Sequence, residues 1–174
     1  MQTDPHTTPD AAPGETPTTA PQEPTEPLLR AQAIDCGGLG VAVPFTWARS
    51  VIEEFDLSTA PNAPVWLAGA VNVDGRILPV LDLAAWLDET AAQPIDRHSK
   101  LLVGGEGEDR FALLFCGLPV MARYAPGAVD SGLATALAPF VLGVAGLSGA
   151  RAQERWPVID ARALGEQWMG ELVV

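Results

Sequence analysis

From residue 28 onward the chain alternates short apolar runs with Gly, Pro, Asn and Asp, the pattern of an all-β fold with closely spaced turns. The runs predict strands over 31–36, 39–44, 50–55, 67–73 and 76–81, and again over 101–104, 110–116, 118–124, 140–147 and 155–159. Gly37 and Gly38 read as one tight turn and Asp74-Gly75 as another, because both dipeptides tolerate the left-handed backbone of a two-residue hairpin loop. Pro61 to Pro64 is a loop, and 93–99 is a polar connector. Two short helices are predicted, one following Asp82 and running to about Asp88 and one from Ala161 to about Met169. The second carries Leu164, Trp168 and Met169 at helical spacing. Roughly ten short strands point to barrels, since closure removes unpaired sheet edges.

The string PVLDLAAWL at 79–87 returns, blurred, as PVIDARAL at 157–164. In each copy a proline opens a β-branched and aliphatic run, an Asp ends it, and an Ala- and Leu-rich stretch follows. Asp82 and Asp160 therefore stand where helix N-caps belong. A repeated strand, cap and helix unit predicts a paired, pseudo-symmetric architecture of two small barrels. Two copies are fewer than a solenoid needs.

The first 27 residues differ in kind. They hold seven prolines, seven threonines and five acids, with no Lys, Arg, Leu or Ile. Such a segment lacks the apolar surface to offset its ordering entropy, so it reads as a disordered tail, leaving 28–174 as one folding unit. The net charge of −12 divides into −5 from the tail and −7 from the rest. No block of Lys or Arg exists along the sequence, which makes nucleic acid a poor candidate partner and disfavours an anionic membrane surface. No apolar run is long enough to span a bilayer, and a polar stretch follows Met1. The expectation is a cytoplasmic protein without direct membrane insertion.

Candidate chemistry is sparse. Cys36 and Cys116 lie in strand-like runs without metal-ligand spacing and read as free buried thiols. His6 and His98 are far from any Cys or acid cluster, so neither a metal site nor a His-activated nucleophile is predicted. The GGEGED stretch at 104–109 is a hairpin turn; its acids repel phosphate and no Lys-Ser or Lys-Thr follows. Paired Asp82 and Asp160 raise one enzymatic alternative, an aspartic-type hydrolase sharing a proton between carboxylates. Neither Asp sits in the small-hydroxyl and glycine sequence that such a dyad needs, and helix capping explains both. Trp47, Trp66, Trp86, Trp156 and Trp168 read mainly as core; an exposed Trp66, beside the Pro61–Pro64 loop, would instead be an interface anchor.

The block WLAGAVNVDGRILPVLDL at 66–83 resembles the signature of CheW-like domains, the chemotaxis coupling proteins and the regulatory domain of their histidine kinase. Their motif runs G, aliphatic, N, L, R, G, any residue, aliphatic, P, V, aliphatic, D, L. Gly69, Asn72, Gly75, Pro79, Val80, Asp82 and Leu83 match it. GVAVP at 40–44, FALLF at 111–115, FVLGV at 140–144 and the terminal PVID fall in family order, so the resemblance covers about Ala31 to Trp168. It implies a mainly β fold of two intertwined five-stranded SH3-like barrels with short capping helices. It also implies a noncatalytic adaptor without cofactor or metal, whose partners are a chemotaxis-type histidine kinase and chemoreceptor cytoplasmic tips. An accessory or localisation module of the same fold, binding chemotaxis or pilus components, is the alternative. Partner contacts are expected at Arg49, Ser50, Trp66, Asn72, Val73, Asp74 and Arg76.

Three family charges are changed. Asp74 stands where the motif has Arg, with the basic residue displaced to Arg76. Ser50, beside Arg49, stands where an early strand has Glu, and Cys116 where the second barrel has Asp. The apolar and glycine framework is kept, which implies a preserved fold with an altered partner surface. An inverted charge at an exposed turn rejects a partner selected for arginine, and Asp beside Gly also makes a better hairpin turn.

Overall fold

The structure is a computed structural model that describes residues 27–88, 92–127 and 135–172. The expected tail lies outside the described residues except for Pro27, and so does His6. In chain order the elements are β1 (Leu29–Cys36), β2 (Leu39–Pro44), β3 (Ala48–Ile52), β4 (Leu67–Val73), β5 (Arg76–Leu81) and α1 (Leu83–Asp88). They continue with β6 (Ser99–Gly104), β7 (Phe111–Pro126), β8 (Val141–Leu147), β9 (Arg155–Ile159) and α2 (Ala161–Leu172).

The strand pairings make two five-stranded barrels. In the first, β1 pairs with β2, β2 runs parallel to β9 at Ala42 and Val158, β9 pairs with β8, β8 with the second half of β7, and that half returns to β1. In the second, β3 pairs with β6, β6 with the first half of β7, that half runs parallel to β5 at Val80 and Ala112, and β5 pairs with β4. A bridge between Ser58 and Ala70 joins the segment after β3 to β4. The two barrels thus share β7, which leaves one and enters the other at Gly117.

This pairing explains the sequence duplication. The order of strands in 29–88 is repeated in 99–172, but each copy is divided between barrels: β1 and β2 sit apart from β3, β4 and β5, as the start of β7 sits apart from its end, β8 and β9. Equivalent details recur. A bulge lies at Gly69 in β4 and at Gly143 in β8. The Asp82 N–H donates to the Trp66 carbonyl at 2.8 Å, and the Asp160 N–H to the Phe140 carbonyl at 2.7 Å. Asp82 Oδ1 accepts from the Ala85 N–H and Asp160 Oδ1 from the Ala163 N–H, both at 3.1 Å. Both acids are N-caps, as the repeated motif predicts.

Several boundaries differ from the sequence pattern. The expected strands 110–116 and 118–124 are one, β7, because Gly117 takes a φ of 79° and bends the chain without ending its pairing. The strand expected over 50–55 is β3, which starts two residues earlier and ends three earlier, since its pairing with β6 stops at Ile52 opposite Leu101. Phe140 closes a 3-10 turn before β8, and α2 continues past Met169 to Leu172.

Side chains sort by the period-two alternation of strands. Ala31, Ala33, Ala42, Ala122, Tyr124, Ala145, Leu147 and Val158 fill the first barrel, and Val71, Val73, Leu78, Val80, Leu101, Val103, Ala112 and Leu114 fill the second. The opposite faces meet between the barrels, where Ile34, Val41, Val43, Leu81, Leu113, Phe115, Ile159 and Leu164 pack with aromatic rings. Each such side chain contributes roughly 1.5–3 kcal/mol on burial. The alanine-rich first barrel has little bulk of its own, so this shared layer binds the halves together. Trp168 is its centre: Trp66 stacks on it at 6.3 Å, and Trp86 and Phe111 meet it edge-on, each at 5.7 Å. Trp66 is 8 % exposed. The expectation of Trp66 as an interface anchor is therefore corrected, because its ring is committed to the inter-barrel core.

Candidate partner-binding surface

The β4–β5 hairpin ends in a rigid polar tip. Asp74 and Gly75 take φ values of 52° and 80°, both in the left-handed region a two-residue hairpin loop of type I′ demands. Asn72 Oδ1 accepts the Gly75 N–H at 2.9 Å, which fastens the turn from the side. Asn72, Asp74 and Arg76 are exposed, and Ile77, directly opposite Asn72 in the register, is 69 % exposed. Val73 is not part of this surface. It points into the second barrel at 8 % exposure, as alternation from exposed Asn72 requires, and the expectation that it contacts a partner is corrected.

Arg49 and Ser50 are exposed on β3, and Arg49 forms an ion pair with Glu106 from the loop between β6 and β7. Arg49 and the tip residue Asn72 line different cavities. Arg49 lines a cavity of about 500 Å³ at the junction of the barrels, together with Trp47, Glu106, Asp109, Asp160 and Arg162. Asn72 instead lines a groove of about 640 Å³ with Ile52, Glu53, Glu54, Asp56, Ile95 and Asp96. That groove is acidic. Lys100 Nζ reaches Glu53 at 2.7 Å on its edge, and the His98 backbone N–H, bonded to the Asp96 carboxylate, holds Asp96 below the usual carboxylate range. Ordinary sequence motifs miss both cavities, whose walls come from segments far apart in the chain.

The two caps do not form a catalytic dyad. Asp82 is closed off from solvent and accepts the Gln93 N–H at 2.6 Å and the Gln93 Nε2 amide at 2.8 Å in addition to its helix bond. Among the described residues the Asp160 carboxylate accepts only the Ala163 N–H that caps α2. A shared proton needs the carboxylates in hydrogen-bonding contact, and each is instead committed to its own helix, so the hydrolase alternative is corrected. Cys36 and Cys116 are both free. Burial, and then the charge of Asp82, push the Cys36 thiol far up, which leaves it unreactive; Cys116 is half-buried, with Sγ 4.0 Å from Gln93 Oε1. Among the described residues no group of three or more His, Cys, Asp or Glu is arranged to hold a metal ion. No helix among them is long and apolar enough to cross a membrane.

Comparison with known proteins matches the CheW-like domain family over residues 32–167. The chain belongs to the CheW-like family. Protein PilI of Pseudomonas aeruginosa is 29 % identical over 136 residues, which are 75 % of this chain and 71 % of PilI. Chemotaxis protein CheW of Rhizobium meliloti is 42 % identical over 38 residues, 22 % of this chain and 24 % of that one. The crystal structure of the scaffolding protein TtCheW from Thermoanaerobacter tengcongensis shares the fold at a TM-score of 0.55 and 15 % identity, covering 76 % of this chain and 89 % of that one. The expected mainly β, twin-barrel CheW-like fold is thus observed, and the family is one of noncatalytic scaffold and adaptor domains.

Proposed function

We propose that this CheW-like chain couples a chemotaxis-type histidine kinase to the cytoplasmic tips of chemoreceptors, acting in the cytoplasm at receptor arrays. Residues 28–174 act as one folding unit, and Asn72, Asp74 and Arg76, with Arg49 and Ser50, carry the partner contacts. The observation that carries this reading is the hairpin tip. Its backbone is fixed by two left-handed residues and the Asn72 bond, and its side chains add nothing to the core. Residues free of packing duty on a rigid turn are suited to specifying a partner. The mechanism is conformational: holding kinase and receptor in one geometry favours one kinase state by its differential affinity.

One observation favours a second reading, an accessory or localisation module that binds chemotaxis or pilus components without standard receptor coupling. Asp74 inverts the charge at the position where the family motif has Arg, and a like-charge contact costs several kcal/mol at an interface. Co-sedimentation with receptor-bearing membranes and the kinase tests the binding. Native protein is expected in the pellet only with its partners, and Arg76→Glu is expected to lower its recovery about tenfold without loss of fold. Equal recovery of the two proteins would remove the hairpin tip from the interface.

A further inference from the structure

The outer wall of the first barrel carries a row of arginines that the adaptor reading does not use. Arg30 on β1 is directly opposite Arg123 on β7, Arg123 is opposite Gly146 on β8, and Gly146 is opposite Arg155 on β9. All three arginines are exposed, and their neighbours Ala31, Ala122, Tyr124, Ala145 and Leu147 point inward. The Arg155 guanidinium lies across Gly146, where a side chain would otherwise separate it from Arg123. The row crosses three strand spacings, about 14 Å. It holds three of the ten basic residues of a chain with 22 acids.

None of the three has a carboxylate partner among the described residues; the ion pairs there use Arg49, Lys100, Arg151 and Arg162. Arg30 is steadied by Met121 Sδ at 3.7 Å and by the Phe45 ring at 5.2 Å, and Arg155 by the Ala152 and Glu154 carbonyls at 2.9 and 3.0 Å. Like charges directly opposite in an antiparallel pair oppose sheet formation. An anion spanning the row relieves that repulsion.

We propose that the acidic N-terminal segment, residues 1–26, docks on this arginine row. Its five acids, Asp4, Asp10, Glu15, Glu23 and Glu26, are unopposed by any Lys or Arg within it, and it ends four positions before Arg30 in sequence. The seven residue steps from Glu23 to Arg30 reach up to about 24 Å when extended, more than the length of the row. Tethering puts the carboxylates at an effective concentration in the millimolar range, which offsets the weakness of exposed ion pairs. An acidic partner segment then gains the first barrel only by displacing the tail, and the contact weakens as salt rises.

The test uses the full chain and a full-length variant carrying Asp4→Asn, Asp10→Asn, Glu15→Gln, Glu23→Gln and Glu26→Gln. The NMR resonances of Arg30, Arg123, Gly146 and Arg155 are expected to differ between the two at about 20 mM NaCl and to converge at about 500 mM. A fluorescent polyglutamate peptide is expected to bind the neutralised variant about fivefold more tightly than the native chain, and to lose that binding when Arg123→Ser and Arg155→Ser are added. Coincident resonances at low salt, equal peptide affinities, or no peptide binding to the neutralised variant would each overturn the proposal. So would row resonances that shift with protein concentration, which would assign the row to a second copy.

Discussion

The carboxylate of Asp82 and both N–H donors of Gln93 form one buried unit, with hydrogen bonds of 2.6 Å to the backbone and 2.8 Å to the side chain. The same carboxylate caps α1, so a single acid ties the first helix to the connector that leads into β6. For Asp160, its equivalent by the duplication, the one side-chain bond among the described residues is the helix cap.

The asymmetry predicts unequal losses. Asp82→Ala leaves three buried donors without acceptors and is expected to cost about 3 kcal/mol or more, since bonds to charged acceptors are worth about 1.5–3 kcal/mol each. Asp160→Ala is expected to cost about 1 kcal/mol, the value of an ordinary cap. Urea denaturation at neutral pH measures both, and equal losses would contradict the Asp82–Gln93 unit.

Two glycines are held small by indole rings. A Cβ at Gly40 would overlap Trp156, and one at Gly104 would overlap Trp47, whereas Gly170 in α2 faces open space. Gly40→Ala and Gly104→Ala are each expected to destabilise by about 1–3 kcal/mol. Gly170→Ala is expected to stabilise by up to about 1 kcal/mol through helix propensity. Thermal melts of the three variants check the sign of each.

At the hairpin tip, backbone and charge effects are separable. Asp74→Asn keeps a residue that tolerates positive φ and is expected to leave stability within about 0.5 kcal/mol. Asp74→Arg places an ordinary side chain at φ 52° and is expected to cost about 1 kcal/mol. If the Asp74 charge excludes a standard receptor tip, affinity for that tip rises from Asp to Asn to Arg. Unchanged affinity across the series would assign Asp74 to the turn alone.

The thiols should differ in a labelling experiment. Cys36 is fully buried and its thiol is pushed up by that burial, so it is expected to resist a thiol reagent at pH 8 until the protein unfolds. Modification of Cys36 in the native protein, read by mass spectrometry of its peptide, would contradict the closed inter-barrel layer.

Much of this fold is legible in the sequence because its signals are local. The Asp74-Gly75 turn, the two Asp caps and the repeated proline-led strands need only neighbouring residues to be recognised. The division of each repeat between barrels is set instead by pairings such as Ala42 with Val158 and Val80 with Ala112, which join segments with no local signal in common. Trp66 and Val73 were legible as apolar and near the motif, but their burial depends on Trp168 and on strands β6 and β7. Gln93 was legible only as a connector residue, because its partner lies eleven positions earlier across α1. The arginine row is invisible in sequence for the same reason: Arg30, Arg123 and Arg155 come together through three strand pairings.

The central claim is coupling, and kinase autophosphorylation in a reconstituted mixture of kinase, receptor and this protein measures it directly. Coupling predicts a rate raised well above that of kinase and receptor alone, and lowered again by Arg76→Glu. Binding of the kinase with no change in its rate would contradict the coupling account and leave the accessory role in its place.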